Sequence, residues 1–125
     1  MGSSQRQKGK RGERDAANAL NRLFGIGAVR TAQARGTRDS PDILCDIEDL
    51  YIEVKFRERI NIYDAIEKAD KEADDKIPIV LYRKNRKDWL VIAYLDDLPI
   101  ICKIMSEKTN DKICIATKFP NSQED

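Results

Sequence analysis

The sequence contains no histidine among its 125 residues. This absence excludes serine–histidine and cysteine–histidine triads, histidine-based nucleases, HExxH proteases and most catalytic zinc sites. Any catalysis therefore has to depend on carboxylates, on lysine and on a metal that prefers oxygen ligands.

Cysteines and long apolar runs are also scarce. Cys45, Cys102 and Cys114 are odd in number and far apart, which fits neither a disulfide scaffold nor a CxxC zinc site. We interpret each as a small buried hydrophobic residue. No apolar run approaches the roughly 18 residues of a membrane span, and the chain does not start with a signal-peptide pattern. We therefore expect a cytoplasmic protein with no membrane partner, folded as one domain.

Charge is distributed unevenly, although the formal net charge is only +1. Residues 1–38 contain nine basic and two acidic residues, a net charge of +7. Residues 39–125 contain 14 basic and 20 acidic residues, a net charge of −6. A basic amino-terminal third on an acidic chain suggests an anionic partner such as nucleic acid, although a solvated basic tail would have the same composition.

Apolar periodicity predicts an α/β chain. We expect a flexible basic arm at residues 1–11, a single domain at 12–119 and a frayed end at 120–125. Spacings of three and four residues predict helices at residues 12–24, ended by Gly25, and at 63–76. Alternation predicts strands at residues 28–33, 42–47, 50–56, 77–83 and 89–95, with a loop at 34–41. Further along, we expect a short helix at residues 97–105 and a last strand at 112–118.

The strands at residues 42–47 and 50–56 are typical of an antiparallel hairpin around Glu48 and Asp49. With this turn, the numbers of facing residues sum to 97, so that Asp42 faces Lys55. One side is entirely apolar and has to be core, since it carries Ile43, Cys45, Ile47, Leu50, Ile52, Val54 and Phe56. The other side brings Asp42, Glu53 and Lys55 close together on a rigid sheet.

An ordinary solvent-facing strand with cross-strand ion pairs would show the same pattern. Three features favour a functional site instead. The strands lie mid-chain among apolar segments, where a central strand is covered on both faces, and the preceding loop is basic. The first helix also carries Glu13 on the same face as Ala16 and Leu20. A buried acid is costly unless it is paired or binds a metal.

This set of side chains suits phosphodiester hydrolysis. Magnesium is usually held by one or two carboxylates together with waters and phosphate oxygens, a role that Asp42 and Glu53 can fill, with manganese as a substitute. The metal would polarise the phosphate and help to form hydroxide from its bound water. Lys55 would orient the attacking water or stabilise the charge that develops on the phosphate.

Pro41 and Asp42, followed eleven residues after Asp42 by Glu53, Val54 and Lys55, resemble the PD-(D/E)xK nuclease signature. Four segments are more specific: KGKRGER at residues 8–14, VR at 29–30, PDI at 41–43 and YIEVK at 51–55. In these segments the chain is similar to archaeal-type Holliday-junction resolvases and their viral relatives. The resemblance covers roughly residues 8–95.

The resemblance implies a mixed central β-sheet flanked by helices, with a restriction-endonuclease-like core. It also implies a homodimer whose two active sites face a four-way DNA junction, acting in recombination or repair and, if virus-encoded, in the host cell. Asp42 and Glu53 would be metal ligands, Glu13 the helix carboxylate of the same metal site, and Lys55 the catalytic lysine. The family also uses a hydroxyl residue before the aspartate, but neither Thr37 nor Ser40 matches it cleanly.

Basic residues would contact the DNA phosphates. The candidates are Arg6, Lys8, Lys10, Arg11, Arg14, Arg30, Arg35, Arg38 and Arg57. The same residues are also compatible with two other functions. One is a sequence-specific double-stranded DNA endonuclease of the homing or restriction type, for which so short a chain leaves little room for a separate recognition domain. The other is a non-catalytic nucleic-acid-binding module, which would have no need to keep the four site residues together.

Overall fold

The computed structural model of the chain describes residues 2–31 and 40–109. Helices lie on both faces of a central five-stranded mixed sheet, which confirms the predicted α/β class. In chain order the elements are α1 (Gly2–Phe24), β1 (Val29–Arg30), β2 (Ile43–Leu44), β3 (Leu50–Phe56), α2 (Ile62–Ala73), β4 (Ile77–Arg83), β5 (Leu90–Ile92), a 3₁₀ helix (Leu95–Asp97) and α3 (Leu98–Thr109).

The strands are arranged in the order β1-β2-β3-β4-β5. All neighbouring pairs are antiparallel except β3 and β4, which are parallel because α2 forms the crossover between them. Since β4 has strands on both sides and helices on both faces, its side chains are buried in both directions, and this explains the nearly continuous apolar run of residues 77–82.

Two clusters of apolar side chains hold the helices to the sheet. On one face, Ala16 and Ala17 of α1 pack with Ile43, Ile52 and Leu81, and α3 packs against the same cluster. On the opposite face, α2 packs on Val80 through Ile66 and Ala69. Small residues on both helices allow the backbones to approach the sheet closely.

Gly12 marks the closest approach of α1 to β3. A Cβ atom at this position would lie 2.7 Å from the Cβ of Phe56, which is well inside van der Waals contact. The next residue of α1 is Glu13, so this close approach carries its carboxylate to the edge of β3. The absence of a side chain at Gly12 therefore sets how closely the Glu13 carboxylate approaches the carboxylates on the strands.

The first helix is longer than the periodicity predicts. It begins at Gly2 and not at residue 12, so it includes most of the segment that we expected to be a flexible arm. Apolar periodicity reports burial, and the side chains at Gln7, Lys10 and Arg11 are exposed. Glutamine, lysine and arginine are nevertheless good helix formers, which explains a helix without an apolar stripe. The division into a domain at 12–119 and two terminal segments stays a prediction.

The predicted hairpin register is wrong by two residues. The turn is at Glu48 and Asp49 as expected, since the Leu50 amide donates to the Ile47 carbonyl. Further from the turn, however, Ile43 pairs with Ile52. Between the turn and this pair, the first strand has three residues (44–46), whereas the second strand has only one (Tyr51). The first strand therefore contains two extra residues, which form a bulge. The bulge is held by the Asp46 amide, which donates to the Ile26 carbonyl.

A shift of two residues keeps every side chain on its predicted face, because side chains alternate with period two. Its effect is to move Asp42 from a position opposite Lys55 to one opposite Glu53. The bulge also shortens the strand, so β2 spans only Ile43–Leu44 and not residues 42–47. The extra residues of this hairpin therefore bring the two carboxylates together.

The remaining boundaries differ in smaller ways. Helix α1 ends at Gly25 as predicted, and Gly25 has a φ of 64°. The side chain of Asn21 closes the following turn, because its amide nitrogen donates to the Ala28 carbonyl and its amide oxygen accepts from the Ala28 backbone N–H. The strand predicted at 28–33 is limited to β1 and the one at 89–95 to β5. The strand predicted at 112–118 lies outside the described residues. No helix in the described ranges is long and apolar enough to cross a membrane.

Candidate active site

An open cleft of about 890 Å³ lies between α1 and the second half of β3. All four residues that the sequence predicts to be catalytic line it: Glu13, Asp42, Glu53 and Lys55. The other lining residues are Lys8, Gly9, Val54, Phe56, Arg57 and Glu58. The fold thus brings together side chains that come from three separate parts of the chain, while the roles assigned to them stay predictions.

Asp42 is fixed where the β2–β3 ladder ends. Its Oδ2 atom accepts a hydrogen bond from the Val54 amide at 2.9 Å, while its own amide donates to the Ile52 carbonyl at 3.0 Å. The preceding Pro41 carbonyl accepts from the Thr31 hydroxyl, which ties this end of β2 to β1. Asp42 is therefore held by backbone atoms from β3 and by the strand behind it.

Glu53 lies beside Asp42, so the two carboxyl groups can share a hydrogen bond when one of them is protonated. Burial raises the pKa of Glu53 to about 8, and the adjacent Asp42 and more distant Glu72 contribute, whereas Lys55 lowers the pKa. Each of two adjacent carboxylates disfavours the charged form of the other, and a cation bound between them relieves this repulsion. The pair therefore has the electrostatic character of a site for a positive ion.

Glu13 faces the same cleft and is paired with Arg30. The Nε atom of Arg30 donates to Oε1 of Glu13 at 3.0 Å, and the arginine is buried. Burial raises the pKa of Glu13, the charge of Asp42 raises it further, and Arg30 lowers it. Because Arg30 pairs with Ile43 in the sheet, it lies next to Asp42 along the strand. Arg30 thus joins α1 to the strand that carries the aspartate.

Tyr51 and Glu72 lie beneath Glu53 on its α2 side. The Tyr51 hydroxyl donates to Oε1 of Glu72 at 3.3 Å and also contacts Glu53. Burial and the two neighbouring carboxylates raise the pKa of Tyr51, so its hydroxyl stays protonated and acts as a donor.

The donor set can be compared with the ligand preferences of metal ions. In residues 2–31 and 40–109, no group of three or more His, Cys, Asp or Glu side chains is arranged to hold a metal ion. Magnesium needs fewer protein ligands than this, because it is usually bound through one or two carboxylates with waters and phosphate oxygens completing its shell. The adjacent carboxylates of Asp42 and Glu53 fit that requirement, whereas Glu13 is engaged by Arg30.

The predicted DNA-contacting cations fall into distinct groups. Lys8 and Arg57 line the cleft, and the Lys8 ammonium lies 4.8 Å from the centre of the Phe56 ring. Arg30 is buried and its Nε atom is engaged by Glu13, while its predicted contact with DNA stays a prediction. Three others are exposed on α1: Lys10, Arg11 and Arg14. Arg35, Arg38 and the side chain of Arg6 lie outside what the structure describes.

Sequence reasoning missed the partners that hold the site in place. It treated Arg30 as a DNA contact and did not connect it to Glu13. A signal was present, because a charged residue inside a predicted strand of small and apolar residues needs a partner when that strand is buried. The contact between Tyr51 and Glu72 had no such signal, since it depends on how α2 packs over the sheet.

Comparison with known proteins adds to this geometry. A family model described as "Phage putative PDDEXK endonuclease" matches residues 4–124. The chain is also similar to the solved structure of Hjc, a Holliday junction resolvase from the archaeal hyperthermophile Archaeoglobus fulgidus, with 26% sequence identity over 66% of this chain and 73% of that chain and a TM-score of 0.49. No curated protein matches the chain significantly.

Proposed function

Because the chain belongs to this family of phage PDDEXK endonucleases, we propose that it is a metal-dependent DNA endonuclease whose active site is the cleft between α1 and β3. The observation that carries the proposal is the convergence of Glu13, Asp42, Glu53 and Lys55 on that one cleft. We further propose that the substrate is branched DNA, with the four-way junction as the main form, on the basis of the motif similarity between residues 8 and 55.

Asp42 and Glu53 would hold a magnesium or manganese ion. When bound, the ion would polarise the scissile phosphate and lower the pKa of a coordinated water. The Val54 amide keeps the Asp42 carboxylate in place before any ion arrives, because its hydrogen bond to Oδ2 comes from the rigid backbone of β3. This arrangement reduces the ordering that ion binding would otherwise require.

Lys55 and Glu13 supply the remaining chemistry from opposite sides of the cleft. Lys55 lies two residues after Glu53 on the same face of β3, so its ammonium can donate to a phosphate oxygen on which negative charge develops. Glu13 is restrained by Arg30 and presents an acceptor to the attacking water. Arg30 acts on the reaction only through Glu13, and we assign it a positioning role in place of a DNA contact.

The cations around the cleft outline a path for the DNA backbone. Lys8 and Arg57 contact phosphates next to the cut, and Lys10, Arg11 and Arg14 contact phosphates along α1. Replacing these three α1 residues with glutamine should reduce the slope of log affinity against log salt by up to about 2.7, since each lost phosphate contact contributes about 0.9. An unchanged slope would remove α1 from the proposed path.

A symmetric junction is cut in pairs, so we propose that the protein acts as a homodimer, in the cytoplasm of the infected cell and in DNA recombination or repair. Light scattering should report about twice the 14.3 kDa of one chain. A monomer at micromolar concentration would contradict the paired mechanism without affecting the assignment of the cleft.

The test of the proposed function is a cleavage assay with labelled four-way junction and matching linear duplex, with magnesium or with EDTA. Glu53→Ala should abolish cleavage, whereas Glu48→Ala should not, because Glu48 is exposed in the turn of the same hairpin. Paired nicks in the junction alone would support a resolvase. Cutting of the duplex at fixed positions would indicate a sequence-specific endonuclease, and binding without any cutting would contradict the enzymatic proposal.

A further inference from the structure

Glu53 and Lys55 are accessible from two sides. Besides the main cleft, they border a small cavity of about 20 Å³ between β3 and α2, to which α2 contributes Lys68 and Glu72. Helix α2 is therefore more than a cover for the sheet, because it places charged side chains directly behind the residues that face the DNA cleft.

Tyr51 connects the two sides. It is only 3% exposed and lies on the same face of β3 as Glu53, since the two residues are two positions apart. Its hydroxyl donates to Glu72 at 3.3 Å, and it lies beside Glu53, whose carboxylate shares the small cavity with Glu72. A phenol has one hydrogen to donate and a carboxylate only accepts, so this hydroxyl is shared between a residue of the cleft and a residue of α2.

We propose that Tyr51 is a positioning residue that holds the Glu53 carboxylate in the orientation in which it binds a divalent cation together with Asp42. Glu72 anchors the tyrosine from α2. This inference rests on the proposed function, because it assumes that Asp42 and Glu53 bind the cation. A glutamate side chain has three rotatable bonds, and a fixed donor on its far side reduces the freedom that binding must remove.

Tyr82 offers a matched control. It is 7% exposed, lies on the neighbouring strand β4, and donates its hydroxyl to the Glu58 carbonyl at 3.4 Å. Tyr51→Phe and Tyr82→Phe therefore each remove one buried phenolic hydroxyl from adjacent strands. Only the first of them removes a contact with Glu53, so a loss common to both variants reports ordinary destabilisation.

The experiment measures Mn²⁺ binding to the full chain by calorimetry, without DNA, together with thermal unfolding. Tyr51→Phe should weaken Mn²⁺ binding about tenfold, the lower end of the effect usual for residues that orient metal ligands, while Tyr82→Phe leaves it unchanged. In cleavage assays, Tyr51→Phe should raise the Mn²⁺ concentration needed for half-maximal rate more than it lowers the rate at saturating Mn²⁺. Equal Mn²⁺ affinity in wild type and Tyr51→Phe would overturn the inference, as would an equal loss in Tyr82→Phe.

Glu72→Gln gives a second route that leaves β3 intact. The amide is a weaker acceptor than the carboxylate, so Tyr51 is anchored less firmly, and Mn²⁺ binding should weaken by no more than about threefold, less than in Tyr51→Phe. A tenfold loss in Glu72→Gln would contradict the assignment of Tyr51 as the donor that matters. Failure of wild type to bind Mn²⁺, or binding that survives Asp42→Ala and Glu53→Ala, would instead overturn the proposed function and this inference with it.

Discussion

Two acids on α1, Glu13 and Asp15, each meet an arginine, but on opposite sides of the helix. Inside the cleft, Glu13 pairs with Arg30 at 3.0 Å, and the two side chains are 23% and 8% exposed. On the outer side, Asp15 lies 3.4 Å from Arg83, and these side chains are 50% and 22% exposed. Asp15 also accepts from the Trp89 indole at 3.0 Å.

The difference shows how one type of contact serves two purposes. The inner pair removes two charges from water, and burial together with Asp42 still raises the pKa of Glu13 despite its arginine. The outer pair is screened by solvent, and exposed ion pairs of this kind usually contribute about 0.2–1 kcal/mol. We infer that the inner pair places a reactive group at an energetic cost, whereas the outer cluster only fastens α1 to the sheet.

The largest expected effect comes from breaking the inner pair. Arg30→Met leaves the partly buried Glu13 without a partner and should lower the free energy of unfolding by about 3 kcal/mol, the lower end of the range for buried pairs. Arg83→Met, the outer counterpart, should cost about 1–2 kcal/mol, because it loses an exposed pair and its stacking on Phe56 and Trp89. Chemical denaturation measures both changes.

A double variant tests the cause of this difference. Adding Glu13→Leu to Arg30→Met should recover much of the lost stability, since it removes the unpaired acid. No recovery would mean that Arg30 stabilises the fold through packing alone. The salt dependence of DNA affinity should not change in Arg30→Met if, as we propose, Arg30 positions Glu13 and does not contact a phosphate.

The next largest expected difference between Glu13 and Asp15 is in the rate of cleavage. Glu13→Gln should lower the cleavage rate at saturating metal by about 10- to 100-fold, the range found when groups that orient a metal site are removed. Asp15→Asn changes a solvent-screened pair on the other side of the helix and should leave the rate within about threefold of wild type. Equal losses in the two variants would contradict the separation between the inner and outer regions.

The electrostatic cost of the inner region predicts a dependence of stability on pH. The pKa of Glu53 is raised from 4.5 to about 8, so the folded protein keeps a proton that the unfolded chain has already released. Stability that is complete below pH 4.5 is therefore lost as the pH rises to about 8. In EDTA at pH 8, Glu53→Gln should be more stable than wild type by about 2–4 kcal/mol, since each pKa unit corresponds to about 1.4 kcal/mol and solvent in the open cleft screens part of the shift.

This advantage should disappear below pH 4.5, where both side chains are neutral. Thermal unfolding between pH 4 and 8 measures the difference, and Asp49→Asn serves as the control because Asp49 is exposed in the hairpin turn. A constant difference between wild type and Glu53→Gln at all pH values would mean that charge burial is not its cause.

The close approach of α1 to β3 can be tested with two glycines of the same helix. Gly12→Ala would place a methyl group 2.7 Å from Phe56 Cβ and should cost about 1–2 kcal/mol as the helix is pushed from the sheet. Gly9 has no neighbour within 4 Å of the added atom, so Gly9→Ala should stabilise the helix by about 0.5–1 kcal/mol. Opposite signs in urea denaturation are the expected result.

The hairpin shows how much of the site the sequence alone predicts. The faces of the hairpin were predictable, because alternation with period two puts Asp42 on the same side as Glu53 and Lys55 in any register that differs by an even number of residues. The two-residue bulge was not predictable, because it depends on a hydrogen bond from the backbone amide of Asp46 to the carbonyl of Ile26, which is far away in the sequence. The neighbour of Asp42 was therefore predicted as Lys55, whereas the structure places Glu53 there.

The length of α1 and the partner of Glu13 show the same limit. The residues before Gly12 have no apolar stripe, so apolar periodicity cannot predict a helix there. Arg30 lies 17 positions from Glu13, and only the packing of α1 over β1 and β3 brings the two together. Local pattern thus predicted which residues face the site, and tertiary contacts determine which of them touch.

The smallest expected effect concerns the outer cluster alone. Trp89→Phe keeps an aromatic ring beside Arg83 and removes the indole N–H that donates to Asp15. It should lower the free energy of unfolding by about 0.5–1 kcal/mol, the usual net contribution of one hydrogen bond. Because Trp89 is the single tryptophan of the chain, circular dichroism has to replace fluorescence as the probe. Cleavage should stay at the wild-type rate, since neither Trp89 nor Asp15 is among the residues that line the cleft. A loss of cleavage as large as that of Glu13→Gln, in a variant that stays folded, would show that the outer side of α1 also controls the position of Glu13.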